Sequence, residues 1–143
     1  MPDYDTDNER SRARLRALVA RLGEADLRRD AGDGWTVAMV LAHLAFWDGR
    51  AAQVAARWLA NGAPDEAPID VPSANDGMKP LLAAVPPLEA ARLALEAADR
   101  VDALVARFTP PLVEAATTGS ALRGNRTAHR LEHVDQIEAA LGD

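Results

Sequence analysis

The chain contains three histidines, His43, His129 and His133, and their spacing is the first sign of chemistry. His129 and His133 stand four residues apart in a stretch that reads as helix, so their side chains lie one turn apart on one face. Two imidazoles so placed can share a cation at ~2.0–2.1 Å from each coordinating nitrogen. His43 falls in the first half of another predicted helix, at the flank of its apolar stripe. His133 occupies a similar flank, and His129 lies somewhat further round. Three imidazoles near the edges of two core-facing stripes could converge at the rim of a helical bundle, where a cleft can open. Taken singly, each is more plainly read as a satisfied or exposed polar residue.

Residue order argues against one chemistry. In His129-Arg130-Leu131-Glu132-His133 the glutamate directly precedes the second histidine. The zinc-peptidase motif has it directly after the first, where it acts as a base toward an activated water. Peptidase chemistry of that kind is not expected. The chain has no cysteine, so it has no disulfide and no thiolate of its own, and thiol chemistry would need a thiol from outside. There is no glycine-rich phosphate loop and no serine or threonine in a nucleophile motif.

Other residues carry two readings each. Asp48 falls near the centre of an apolar stripe, where a charge needs a partner. It is either an acceptor that orients a histidine or pocket water, or half of an ion pair with an arginine from the first or last helix; the ion pair is the plainer reading. Trp35, Trp47 and Trp58 could line a substrate pocket but read more plainly as core, with Trp47, one turn after His43, the one suited to wall a pocket.

Four helices must position these groups. The first is expected to start near Thr6, where Thr6 and Glu9 have capping-box spacing, and to end at Gly23 in a left-handed turn. Leu15, Leu18, Val19 and Leu22 recur at helical spacing. Thr36 is placed to cap the second helix, with Trp35 as a staple onto Val40. Its stripe of Val37, Val40, Leu41, Leu44, Ala51, Val54, Ala55 and Trp58 runs to Asn61-Gly62, roughly 37 Å at ~1.5 Å per residue. Residues 63–86, with Pro64, Pro68, Pro72, Pro80 and Pro86, read as a long ordered crossover with a short helix around Met78–Ala84. A third helix spans about Pro87 to Phe108, carrying Leu88, Ala91, Leu95, Ala98, Val101, Val105 and Phe108, and ends at Thr109-Pro110-Pro111. Residues 112–124 stay ambiguous, and the fourth helix runs from about Asn125 to Leu141. The expected fold is all-α: one domain over residues 1–143, a four-helix bundle in up-down-down-up order, its long crossover making helices 2 and 3 parallel.

Trp35-Thr36, then His43-Leu44-Ala45 with Asp48, and the closing His129-Arg130-Leu131-Glu132-His133-Val134-Asp135-Gln136-Ile137 together resemble the DinB/YfiT-like superfamily. That superfamily includes the mycothiol-dependent maleylpyruvate isomerase N-terminal domain and bacillithiol or other thiol transferases. The resemblance spans essentially the whole chain. It implies an up-down-down-up bundle and a nickel or zinc ion held by His43, His129 and His133. It also implies an exogenous low-molecular-weight thiol such as mycothiol or bacillithiol, and Asn75-Asp76 is similar to a segment of the mycothiol-type relatives. Three protein ligands leave a coordination position for water or substrate, which suits a metal-dependent thiol transferase or hydrolase acting on a small molecule. Arg50 and Arg126 lie on the helix faces of His43 and His133 and, with Trp47, could contact an anionic thiol or substrate; solvated arginines are the plainer reading. The alternative function is a non-catalytic bundle that binds a metal or small molecule, or serves as a dimeric interaction module, a homodimer.

Composition bounds the partners. Apolar residues make up 48% of the 143 and charged residues 27%, the balance of an ordered globular chain. Alanine and leucine dominate over β-branched and aromatic types, which favours helix. Lys and Arg total 16 against 22 Asp and Glu, for a net charge of −6. Nucleic acid is therefore not an expected partner; the row Arg10, Arg12, Arg14 and Arg16 reads as a solvated helix face. No apolar run approaches the ~20 residues of a membrane span, and the acidic, polar N-terminus is unlike a signal peptide. A cytoplasmic location and no membrane association are the expectations.

Overall fold

A computed structural model describes residues 2–142. The chain is dominated by helix: α1 (Asp5–Ala20), α2 (Glu24–Leu27), α3 (Val37–Asn61), α4 (Val71–Ala84), α5 (Pro87–Val105), α6 (Pro110–Thr118) and α7 (Thr127–Leu141). A two-stranded hairpin, β1 (Asp30–Gly32) and β2 (Trp35–Thr36), pairs antiparallel just before α3. The all-α class expected from composition is what forms. The helices α1, α3, α5 and α7 correspond to the four expected, and α2, α4 and α6 are further helices within the connections.

α3 begins and ends where its residues dictate. Thr36 is extended, and its hydroxyl accepts from the Met39 N–H at 3.1 Å, satisfying one of the donors a helix start leaves free. Gly62, at φ 69°, closes the helix in the left-handed conformation that glycine adopts without strain.

Four expected helix boundaries are corrected. Thr6 does not cap α1: the helix starts at Asp5 with Tyr4 before it, and no side chain caps it. Tertiary anchoring sets this start, because the Tyr4 ring is buried and its hydroxyl donates to the Val105 carbonyl at 2.9 Å. Gly23 is extended (φ −90°, ψ 174°) and opens α2 rather than closing α1; its N–H donates to Asp26 at 2.9 Å. The crossover helix is longer than Met78–Ala84, because Asp70 caps it through the Ser73 N–H and Pro72 stands in its first turn, where no N–H is needed. Pro110, expected as a stop, is the first residue of α6, which runs on into the stretch that sequence left ambiguous.

α3 and α5 make the most extensive helix–helix contact. Small side chains allow it: Ala51, Ala52 and Ala55 on α3, and Ala90, Ala91, Ala94 and Ala98 on α5, are all buried. Leu88, expected on the α5 stripe, is instead 59% exposed, and Ala90 and Ala94 turn inward. α1 meets α5 through Tyr4 with Val105, Arg12 with Asp102 and Arg16 with Asp99. It meets α7 through Ser11 with Arg130 and Arg14 with Asp135. Arg12, Arg14 and Arg16 are thus not simply solvated; they are rungs between α1 and its neighbours. Among the described residues no helix is long and apolar enough to cross a membrane.

Candidate metal centre

α3 and α7 bring the three histidines together. Their ring centroids stand 4.8 Å apart for His43–His133, 5.4 Å for His43–His129 and 4.8 Å for His129–His133. One ligand atom from each lies within 4.8 Å of those of the other two, and the group could hold a metal ion. His129 Nε2 and His133 Nε2 are 3.2 Å apart. Two ligands at ~2.0–2.1 Å from a tetrahedral ion stand roughly 3.3 Å from one another, so this pair already has ligand spacing. His43 is only 8% exposed, and its Nδ1 is buried with no hydrogen-bond partner. A buried polar atom without a partner is costly, and a cation or a bound molecule among the rings would supply what is missing. The residues fit the ion.

The electrostatics agree with the geometry. Burial, reinforced by the charge His133 would carry, pushes the His43 pKa down to about 4. Burial also pushes His129 down to about 4, helped by His133, Arg126 and His43 and opposed by Asp48. Both rings are therefore neutral at pH 7, the form in which imidazole ligates a metal.

A charged cluster beneath the histidines fixes the rotation of α7. Arg130 is 0% exposed. Its Nη1 and Nη2 donate to the two Asp102 oxygens at 2.8 and 2.6 Å, a bidentate pair, and its Nε and Nη2 reach Asp48 Oδ2 at 3.4 Å. Nη1 also donates to Ser11 Oγ and the Asn8 carbonyl, each at 3.3 Å. Arg126 Nε donates to Asp48 Oδ1 at 2.9 Å. Asp48 thus has the plain role foreseen for it, an ion pair with arginines of the last helix. Asn8 completes the cluster, donating to the Gly124 carbonyl and accepting from the Arg126 N–H at 2.7 Å. With Arg130 turned inward, His129 and His133 face α3.

A cavity of about 180 Å³ lies against this group, lined by Gly32, Asp33, Trp35, Val40, His43, His133 and Gln136. Its outer wall is the hairpin. Trp35 stands edge-on to His43 at 5.6 Å between ring centres, and Lys79 reaches over from α4, 5.5 Å from the Trp35 ring, to donate to the Asp33 carbonyl at 2.8 Å. Of the three residues expected to contact a cofactor, Trp47 is beside His43 at 6.4 Å between ring centres, and its indole N–H donates to Asn75 at 2.9 Å. Arg126 is engaged by Asp48, and Arg50 by the carbonyls of Ala67 and Ala121. None of these three lines the cavity.

Sequence reading set Trp35 down as core and missed Gln136 and Arg130 as parts of the site. Arg130 carried a signal: with Val134 and Ile137 it occupies i, i+4 and i+7, the buried line of α7. Trp35 was read as a staple, and nothing local says that a hairpin turns its ring toward His43.

Fold and site together define an all-helical protein with a three-histidine cluster able to take a metal ion. The family profile of the DinB superfamily matches residues 7–135, a span holding all three histidines, and the chain belongs to that superfamily. No curated protein and no solved structure matches it.

Proposed function

We propose that the protein is a metal-dependent enzyme of the thiol-transferase or hydrolase kind, its divalent ion held by His43, His129 and His133. The observation that carries this reading is the histidine cluster itself, with one ring nitrogen buried and unpartnered and a cavity against two of its rings. Nickel and zinc suit three imidazole donors. Once bound, such an ion supplies Lewis acidity toward water or a thiol, and three ligands leave room for one of them. The chain's own residues hold and shield the site: Trp35 and Val40 wall the cavity, and the Arg130 cluster keeps α7 in register. The chain has no cysteine, so the thiol in a transfer reaction is a separate small molecule such as mycothiol or bacillithiol.

The architecture proposed with this function is a single up-down-down-up bundle. Supporting it, contacts between α1 and α5, and between α3 and α7, pair rising with falling residue numbers (Tyr4 with Val105, Arg16 with Asp99; His43 with His133, Asp48 with Arg126), whereas Asn8 with Arg126 and Arg14 with Asp135 rise together.

Thermal-shift screening of the zinc- and nickel-loaded protein against mycothiol, bacillithiol and glutathione tests the thiol assignment. A saturable rise in Tm with one of them, absent in His43→Ala, is expected. No shift with any thiol would leave the hydrolase arm standing and remove the transferase one.

A further inference from the structure

Gln136 sits one turn after His133, half-buried, and touches two things. Its Oε1 is 2.8 Å from His133 Nδ1 and its Nε2 is 3.3 Å from the Ala31 carbonyl of β1. The two ends of an amide differ in chemistry, oxygen accepting and nitrogen donating. A carbonyl only accepts, so the Ala31 oxygen dictates which end faces it: the NH₂. The amide oxygen is thereby turned to His133 Nδ1, which must carry the hydrogen to make that bond. In a neutral imidazole the other nitrogen then holds the lone pair, and His133 Nε2 is the atom that faces His129. Among the described residues neither His43 nor His129 has a comparable tie: His43 Nδ1 has no partner, and His129 bonds only to His133.

From this chain of bonds we infer that Gln136 is a positioning residue, which reads the Ala31 carbonyl and locks His133 with its hydrogen on Nδ1 and its Nε2 lone pair aimed into the cluster. The inference rests on the metal reading for its purpose but not for its geometry. It also ties the hairpin to the histidines, since the strand that supplies Ala31 continues into Gly32 and Asp33 of the cavity wall. Partners that fix the tautomer of a ligating histidine are generally worth about 10- to 100-fold in metal affinity.

The test uses the full chain with 15N-labelled histidine, stripped of metal and held above pH 7. Two-bond proton–nitrogen spectra distinguish a protonated ring nitrogen from one with a free lone pair. Wild-type His133 is expected to show a protonated Nδ1 and a bare Nε2. Gln136→Leu is expected to lose that single-tautomer signature and to bind Zn²⁺ about 10- to 100-fold more weakly in chelator competition. Gln136→Glu keeps an acceptor for Nδ1 and is expected to keep the signature and most of the affinity. A bare Nδ1 in the wild type, or Gln136→Leu retaining both signature and affinity, overturns the inference. Should Gln136→Leu fail to fold, the wild-type and Gln136→Glu spectra decide. A wild type with the expected tautomer but no Zn²⁺ affinity would sink the metal reading and leave the positioning role standing.

Discussion

His43 and His129 are held neutral by burial first and then by the charge His133 would carry beside each, with folded pKa values near 4 against 6.5 for a free imidazole. A folded-state pKa below the unfolded one means that the unfolded chain takes up protons first as pH falls. The stability these two residues allow is fully present above about 6.5 and is lost as pH drops from there through about 4. In chelator-treated protein the Tm is therefore expected to fall across that window. The fall should be shallower in a His43→Ala/His129→Ala variant, compared by scanning fluorimetry at matched ionic strength; parallel curves would contradict the burial argument. The three histidines were legible in the sequence because the i, i+4 pair and the stripe of the second helix are local patterns. The groups that orient them were not, because Gln136 answers to a backbone carbonyl 105 positions away and Trp35 to a hairpin too short to announce itself.

At the scale of elements, the ends of helices divide into those set by local chemistry and those set by packing. Thr36 belongs to the first kind, and Thr36→Ala is expected to cost ~1 kcal/mol of stability in urea titration through loss of the bond to Met39. Gly124, just before α7, belongs to the second. A methyl group there would stand 2.5 Å from Cε2 of the buried Tyr4 ring, while the glycine carbonyl accepts from Asn8 at 2.8 Å. Gly124→Ala should therefore lower Tm, and Tyr4→Ala should mask part of that loss; additive effects would argue against the contact. The same division explains the boundaries missed from sequence. Thr6 and Glu9 have the spacing of a cap, yet Tyr4 docked on Val105 starts α1 earlier. In the crossover, the helix expected from Met78 begins already at Val71, because the Asp70 cap and Pro72 in the first turn open it.

Across the whole molecule, the buried arginine links all four long helices. Arg130 on α7 is bonded to Asp48 on α3, Asp102 on α5 and Ser11 on α1. Removing one partner of a buried ion cluster leaves charge without compensation, a loss of ~3–5 kcal/mol. Arg130→Ala is expected to destabilise the fold by about that much in denaturant titration, and at temperatures where it stays folded to weaken metal uptake, because α7 loses the contact that aims His129 and His133. A small loss of stability would show that Arg12 and Arg126 suffice to neutralise the two aspartates.

The central claim is that His43, His129 and His133 form one metal site. The most direct measurement is elemental analysis of protein purified without a histidine tag, for the wild type and for each histidine changed to alanine. The account predicts stoichiometric nickel or zinc in the wild type and its loss in His43→Ala, His129→Ala and His133→Ala alike, with all three variants folded. A wild type free of metal that also fails to take up added Zn²⁺ or Ni²⁺, or a His43→Ala variant that keeps its full metal content, would contradict it.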